Sequence, residues 1–192
     1  MFDTCIILNG PPNVGKDTLA DILAENHGFH KHQFKDQLYV DTAVEFKVSL
    51  SELVTYATNR NLKELPWKEL QLNGKAISPR AALIHTSETL IKPNNGFDYF
   101  GVAAVNACRT ANSTLAVFSD GGFHEEIECL QLLYRNVYVF RLHRDGCEWG
   151  NDSRSYIHGF RNICDLPLLP DHPELAIARI LETIEQPLME IA

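Results

Sequence analysis

The clearest chemical signal in the sequence is a glycine-rich stretch near its start, ILNGPPNVGKDT at residues 7–18. Four residues separate Gly10 from Gly15, and a lysine follows directly. At this spacing, backbone N–H groups surround phosphate oxygens while the lysine reaches the β and γ oxygens of a nucleoside triphosphate. The alternative is a Gly/Pro turn that binds nothing. The residues expected to contact a nucleotide are Gly10, Asn13, Val14, Gly15, Lys16, Asp17 and Thr18.

The residue after the lysine is a carboxylate, Asp17. A phosphate loop usually carries there a serine or threonine hydroxyl that coordinates Mg²⁺. A carboxylate is also an oxygen ligand, which suits a hard cation. Asp17 therefore either helps to hold Mg²⁺, directly or through water, or turns toward the acceptor. A third alternative is that it only favours the first turn of a helix.

The loop needs a strand before it and a helix after it. Residues 4–9, TCIILN, form a short apolar run rich in β-branched residues, which predicts a buried strand. Residues 16–26 place leucine and isoleucine on one side and end at Gly28, which predicts a helix. The predicted order is strand, phosphate loop, helix.

The rest of the chain alternates between helical and strand patterns. We predict a mostly helical region at 35–110, strands at 113–120 and 136–144, and helices at 122–134 and 172–186. This alternation predicts an α/β three-layer fold on a parallel sheet. The polar run 143–165 has little periodicity and is interpreted as a mobile flap.

Length and composition limit the classes of protein to consider. A chain of 192 residues predicts a single domain, with an inserted subdomain as the alternative, and no stretch approaches the roughly 20 apolar residues of a membrane helix. The net charge of -8 disfavours broad attachment to nucleic acid, although the arginines of 135–161 leave a basic patch open. Five dispersed cysteines favour reduced thiols in a cytosolic protein, and the histidine spacings do not suggest a zinc site.

Charged residues at and after the ends of the later predicted strands are candidates for binding the metal, the acceptor and the transferred phosphate. Asp120 ends a predicted strand, and ligands of open α/β sheets collect at the carboxyl ends of strands, so it is a candidate for binding Mg²⁺ or orienting the acceptor. The alternative is an N-cap for helix 122–134. Phosphoryl transfer also needs positive charge and exclusion of water. The candidate lid arginines are Arg141, Arg144 and Arg154.

These residues resemble a known family. GPPNVGKDT is similar to the loop of nucleoside monophosphate kinases, and its Lys-Asp-Thr form looks most like the deoxynucleoside monophosphate kinases of bacteriophages. Animal-type phosphomevalonate kinases share the Lys-Asp-Thr loop. Further similar segments are FKDQL at 34–38, SPRAAL at 78–83 and FSDGGFHEE at 118–126.

The resemblance implies a P-loop NTPase fold that uses ATP and Mg²⁺, with an acceptor-binding insertion at 35–110 and an arginine-bearing lid at 143–165. It places Arg80 at the acceptor phosphate, Lys16 at the β and γ oxygens and Thr18 near the α-phosphate. In FSDGGFHEE the family pattern is Asp-x-Arg-Phe-x-x-Glu, so Gly122 stands where that pattern has arginine. A positive charge expected near the acceptor or the transferred phosphate is therefore missing.

The predicted activity is transfer of the γ-phosphate of ATP to a deoxynucleoside monophosphate. The predicted catalytic residues are Lys16, Asp17, Arg80, Asp120 and Arg144, with Asp17 and Asp120 as metal ligands. One alternative acceptor is the hydroxymethyl group of 5-hydroxymethyluracil in phage DNA, and another function is a nucleotide sensor without turnover. We expect a cytoplasmic protein, in the host cytoplasm if viral, with no membrane partner. A homodimer remains an alternative.

Overall fold

The structure is a computed structural model that describes residues 1–150 and 154–185. Residues 151–153 of the predicted lid and Gln186 of the predicted closing helix lie outside the described residues. The chain divides into two compact units, Met1–Gln33 with Ala104–Ala192, and Phe34–Ala103. None of the helices in the described ranges is long and apolar enough to cross a membrane.

The first unit contains a sheet and its covering helices. Its elements are β1 (Phe2–Asn9), α1 (Lys16–His27) and β2 (His30–His32) at the start of the chain. The second unit follows with α2 (Lys35–Phe46), α3 (Leu50–Thr58), β3 (Trp67–Leu72), β4 (Lys75–Ile77), α4 (Pro79–His85), a π-helical turn (Thr86–Ile91) and α5 (Lys92–Asn95). Helix α6 (Tyr99–Thr110) returns to the first unit, which ends with β5 (Leu115–Phe118), α7 (His124–Gln131), β6 (Tyr134–His143), β7 (Ile163–Pro167) and α8 (Pro173–Glu185).

The sheet has five parallel strands in the order β2-β5-β1-β6-β7. Strand β1 is central: the chain leaves it for the β2 edge and later crosses from β5 to β6, so the strand order changes direction there. In an open parallel sheet, ligands bind outside the carboxyl ends of the strands at such a point. The predicted α/β class and parallel sheet are confirmed.

Alternating side chains cover both faces of this sheet, because successive residues of a strand point to opposite sides. On one face, Ile6, Leu8 and Phe140 pack with α1 and α8 in a continuous buried cluster. On the other face, buried Cys5 lies near Cys108 of α6, and α7 packs against β6. The result is three layers, with helices on either side of the sheet.

The second unit is less helical than its sequence predicts. Strands β3 and β4 form an antiparallel hairpin. Asn73 and Gly74 join them with φ of 52° and 74°, as a tight two-residue hairpin turn requires. The prediction of a mostly helical region at 35–110 did not include this hairpin. Buried Leu53, Trp67, Leu70 and Ala82 hold this hairpin against α3 and α4.

Three boundaries in the first unit also differ from the predictions. Strand β2 was missed, because three residues are too few to show a pattern. Strand β7 occupies 163–167, so the end of the predicted flap belongs to the sheet. The sequence predicts a helix at 122–134. In the structure, α7 stops at Gln131 and Tyr134 is the first residue of β6.

Candidate nucleotide-binding site

The glycine-rich loop joins β1 to α1 at the centre of the sheet. Asn13 and Gly15 adopt positive φ, 64° and 120°, so the chain can turn sharply and present its N–H groups at the start of the helix. A side chain at Gly10 would meet the carbonyl oxygen of Leu142 at 3.0 Å. The loop is thus held close to β6, and Val14 is fully buried beneath it.

Lys16 is the first residue of α1, and its ammonium curls back over the loop. Nζ donates to the carbonyl oxygens of Gly10 at 2.6 Å and Pro11 at 2.7 Å. The positive charge therefore lies at the N-terminus of the helix, whose first backbone N–H groups have no partner within the helix. Ammonium and N–H groups together make a site for an anion.

Asp17 takes part in a network with the end of β5 and the end of β2. The hydroxyl of Ser119, which directly follows β5 and is 2% exposed, donates to Asp17 Oδ1 at 2.8 Å. Gln33 Nε2 donates to Ser119 Oγ at 3.0 Å and lies 3.3 Å from the same carboxylate oxygen. Asp17 is thereby held beside the strand that leads to Asp120.

Lys31 balances part of the negative charge in this network. Its Nζ lies 2.7 Å from Asp21 Oδ1 and 3.4 Å from Asp17 Oδ1. Partial burial lowers the pKa of Lys31, but the hydrogen bond and the two carboxylates outweigh it and raise this pKa above its ordinary value. Lys31 therefore stays charged near neutral pH and permits two carboxylates on the first turns of α1.

Asn9, the last residue of β1, connects two later segments to the start of the glycine-rich loop. It is fully buried, and its Nδ2 donates to the carbonyl oxygens of Gly121 at 3.0 Å and Ser155 at 3.2 Å. Its Oδ1 accepts the N–H of Ile157 at 3.0 Å. The segment predicted as a mobile flap is thus anchored at residues 155–157. Residues 122–124 and 155–159 line a cavity of about 550 Å³.

Gly122 has no room for a side chain, because Arg154 already occupies the space. A Cβ at Gly122 would lie 2.4 Å from Cδ and 2.8 Å from Cγ of Arg154. The arginine stem therefore crosses directly over the Cα of Gly122. The resembled family has an arginine at position 122. In this protein, the stem of another arginine, Arg154, lies against that position.

Arg141 lies on β6 and not in a loop, in register with Asn9 on one side and Asp165 on the other. Its Nε donates to Asp165 Oδ1 at 2.9 Å, its Nη2 forms a second hydrogen bond to Asp165 Oδ2, and its Nη1 lies 2.9 Å from His158 Nδ1. The hydrogen bonds from Arg141, then that from His143, hold the pKa of Asp165 below its ordinary value.

The remaining predicted residues occupy three different settings. Asp120 follows Ser119 at the carboxyl end of β5, and the N-cap position of α7 is Phe123, three residues later. Arg144 follows β6, and its carbonyl accepts the N–H of Cys147 in a turn. Arg80 lies on the exposed start of α4 in the second unit, where Nη1 is 3.3 Å from Glu64 Oε1.

The donor set of the first unit fits a hard cation. Asp17, Ser119 and Asp120 supply carboxylate and hydroxyl oxygens at the start of α1 and the end of β5. In the described parts of the chain, no group of three or more histidine, cysteine or acidic side chains is placed to hold a metal. This arrangement suits Mg²⁺, which binds through one or two carboxylates, substrate phosphates and water.

Sequence reasoning missed the residues that organise the site: Asn9, Gln33, Ser119 and Asp165. A usable signal existed for two of them. Asn9 ends an apolar strand, where a polar amide is expected to bind locally, and Ser119 directly precedes the candidate carboxylate. Their partners lie about a hundred or more positions away and show no local pattern.

No protein-family model matches the chain, and no curated protein matches its sequence. Among solved structures, the fold is similar to an unliganded sugar kinase from Janibacter sp. HTCC2649, with 13% identity and a TM-score of 0.49 over 96% of this chain and 95% of that one. A likeness at this level does not extend to activity.

Proposed function

We propose that the protein is an ATP-dependent phosphotransferase that moves the γ-phosphate to a deoxynucleoside monophosphate and forms the diphosphate. The observation that carries this proposal is the position of the Lys16 ammonium, over the carbonyls of Gly10 and Pro11 at the start of α1. The central strand of a parallel sheet leads directly into this anion site. That is the arrangement phosphate-loop kinases use for a triphosphate.

The residues of the loop bind and position the donor. Loop N–H groups and Lys16 hold the phosphate oxygens, and Thr18 lies in the first turn of α1 beside them. Mg²⁺, when bound, neutralises charge on the β and γ oxygens. Asp17 and Asp120 are the carboxylates proposed to hold it, and Ser119 keeps Asp17 in position through its hydrogen bond.

Arg154 is proposed to supply positive charge for the transferred phosphate. Its stem lies over Gly122, next to the segments that Asn9 ties to the phosphate loop. A fixed cation stabilises the equatorial oxygens in the transition state better than a mobile one, because little reorganisation is needed. Arg144 follows β6 and is a second candidate, while Arg141 already binds Asp165.

The packing of Arg154 on Gly122 also bears on the acceptor. A missing arginine at position 122 favours a hydroxyl acceptor, such as 5-hydroxymethyluracil in DNA, because less positive charge is then needed. Since the stem of Arg154 passes over Gly122, its guanidinium is proposed to supply the missing charge, which favours an acceptor that carries a phosphate. We therefore place the monophosphate first and the hydroxymethyl acceptor second.

The test is transfer of labelled γ-phosphate from ATP to a panel of four deoxynucleoside monophosphates and to hydroxymethylated duplex DNA. We expect labelled diphosphate from at least one monophosphate. Lys16→Ala should abolish transfer, whereas Lys75→Ala, an exposed lysine in the hairpin, should match the native protein. Labelled DNA, with a steep loss of activity at high salt, would instead support the second acceptor.

The sensor alternative has its own outcome in the same experiment. If the native protein binds ATP, Lys16→Ala does not, and no phosphate reaches any acceptor, then the protein is a nucleotide-binding module without turnover. If Lys16→Ala binds ATP as tightly as the native protein, the phosphate site itself is wrong. These two results are distinguished by measuring ATP affinity by calorimetry beside the transfer assay.

A further inference from the structure

Lys31 is the second lysine of the first unit, and its ammonium lies beside the first turns of α1. The sequence of that unit, residues 1–33 and 104–192, contains only Lys16 and Lys31 as lysines. Nζ of Lys31 is 2.7 Å from Asp21 Oδ1 and 3.4 Å from Asp17 Oδ1. The two carboxylates are four residues apart on α1, a spacing at which like charges repel. Lys31 therefore bridges a pair of negative charges at the edge of the phosphate loop.

The sheet fixes the position of Lys31. Strand β2 pairs in parallel with β5, and Lys31 is in register with Val117. Val117 packs in the buried cluster that contains Leu19 of α1, so Lys31 lies on the same side of the sheet as that helix. The next residue, His32, points to the other face, where its Nε2 is 2.8 Å from Ser113 Oγ. The Lys31 side chain is only 26% exposed, so its ammonium is held near α1.

A cation in this position bears on how the loop tolerates a carboxylate. Asp17 directly follows Lys16, whose ammonium lies over the loop carbonyls at the anion site. A bound triphosphate therefore brings negative charge close to Asp17, and like charges repel. Mg²⁺ offsets this repulsion when it is bound, and the Asp17 side chain is 65% exposed and accessible to it. Without the metal, a cation of the protein has to offset the charge.

We propose that Lys31 is a positioning residue of the donor site that acts through Asp17. Its ammonium offsets the Asp17 charge when a nucleotide binds without metal, and it moves fully to Asp21 when Asp17 takes part in metal binding. Asp21, the nearer carboxylate in the structure, makes this move possible. The proposal rests on the proposed function, since it specifies how the donor site of that reaction balances its charge.

The proposal has a consequence with a definite sign, because two cations compete for one carboxylate. Lys31 strengthens binding of the metal-free nucleotide and weakens binding of Mg²⁺ to the protein–nucleotide complex. The two effects belong to one thermodynamic cycle, so they must be equal in size when the affinity for the Mg²⁺-nucleotide is unchanged. A lysine that only supports the fold would weaken both forms of the nucleotide alike.

The test is calorimetry of a non-hydrolysable ATP analogue, in EDTA and in saturating Mg²⁺. Lys31→Met keeps the length of the side chain and removes its charge. We expect about fivefold weaker binding in EDTA, the size of one ion pair near the surface, and binding within about twofold of native in Mg²⁺. Lys31→Arg keeps the charge and should stay within about twofold of native in both. Lys68→Met, which removes an exposed ammonium 3.5 Å from Glu69 Oε1, is the matched control.

Two further variants test the carboxylates. Asp21→Asn leaves Lys31 with Asp17 as its only carboxylate partner, so Mg²⁺ should bind the complex about threefold more weakly, opposite in sign to Lys31→Met. In an Asp17→Asn background, Lys31→Met should no longer weaken metal-free binding, because the charge it offsets is gone. Asp21→Asn retains Lys31, so it tests the competition even where Lys31→Met does not fold.

The contrary results are distinct from failure of the proposed function. Equal weakening by Lys31→Met in EDTA and in Mg²⁺, or no weakening in either, would overturn the role of Lys31 and leave phosphate transfer intact. A loss in Lys31→Arg as large as in Lys31→Met would overturn it too, since the charge would not be what matters. Binding that depends on Lys31 as expected, with no transfer to any acceptor, would remove only the proposed function. No binding of the analogue by the native protein in either condition would overturn both.

Discussion

The buried amide of Asn9 offers a direct test of how the site is held together. Asn9→Asp keeps the shape of the side chain and an oxygen for the N–H of Ile157. It replaces the Nδ2 donor with an oxygen that faces the carbonyls of Gly121 and Ser155, 3.0 and 3.2 Å away. The variant therefore exchanges both donated hydrogen bonds for repulsive oxygen contacts at a fully buried position.

The size of the effect follows from those contacts. Each lost hydrogen bond costs about 1 kcal/mol, and a buried acceptor left unsatisfied costs somewhat more, so we expect about 3 kcal/mol of lost stability near pH 7. For a protein of this length, that lowers the melting temperature by about 6 to 12 °C. Burial raises the pKa of the new carboxyl, and its protonated form can donate one hydrogen bond. The loss should therefore shrink as the pH falls.

The assay is urea unfolding at several pH values, with Asn94→Asp as the matched control. Asn94 makes the same kind of contact, from Nδ2 to the carbonyl of Leu90 at 2.6 Å, but on an exposed helix surface. Its variant should lose less than about 1 kcal/mol. If Asn9→Asp unfolds within about 0.5 kcal/mol of the native protein, the anchoring role of the amide is refuted.

Three further substitutions test neighbouring contacts. Gly122→Ala places a methyl group 2.4 Å from Cδ of Arg154, so the arginine must move, and kcat at saturating ATP should fall about 10- to 100-fold. Ser119→Ala removes the hydroxyl that positions Asp17, so kcat should fall about tenfold and half-maximal activity should need more Mg²⁺. The pKa of Asp165 is lowered by folding, so the stability that Asp165→Asn removes is present above about pH 4 and is lost as pH falls through the folded value.

Each of these results has a clear contrary outcome. An unchanged kcat in Gly122→Ala would show that the position of Arg154 does not matter for transfer. A Ser119→Ala variant with native Mg²⁺ dependence would assign that hydroxyl to stability alone. For Asp165→Asn, urea unfolding that differs from the native protein by the same amount at every pH would contradict the lowered pKa.

Local patterns explain which elements the sequence predicted. Strand β1 is a continuous apolar run that ends in Gly-Pro-Pro, and α1 has a buried side and a glycine stop, so each is readable from its own residues. Strands β2 and β7 are short or polar, and they exist because β5 and β6 offer hydrogen-bonding edges to them. The residues of a short strand do not by themselves show which distant strand it will pair with.

The candidate site likewise has one part that could be predicted from local sequence and another that depends on the fold. The spacing from Gly10 to Lys16 is enough to predict a phosphate-binding loop, because a turn and the helix start that follows it are local structures. The role of Ser119 depends on β5 lying beside β1, which brings it to Asp17 from 102 positions away. The sequence places Arg141 among the lid arginines, but its strand position pairs it with Asp165.

By itself, the sequence determined the glycine-rich loop, its flanking strand and helix, and the α/β class, since these follow from hydrophobic periodicity and backbone geometry over short distances. Only the tertiary structure decided that Asn9 anchors residues 155–157 and that the Arg154 stem occupies the space over Gly122. Those contacts arise from packing between residues far apart in the chain. Gly122 stands where the resemblance predicts an arginine, and its lack of a side chain leaves room for the stem of Arg154 in the folded protein.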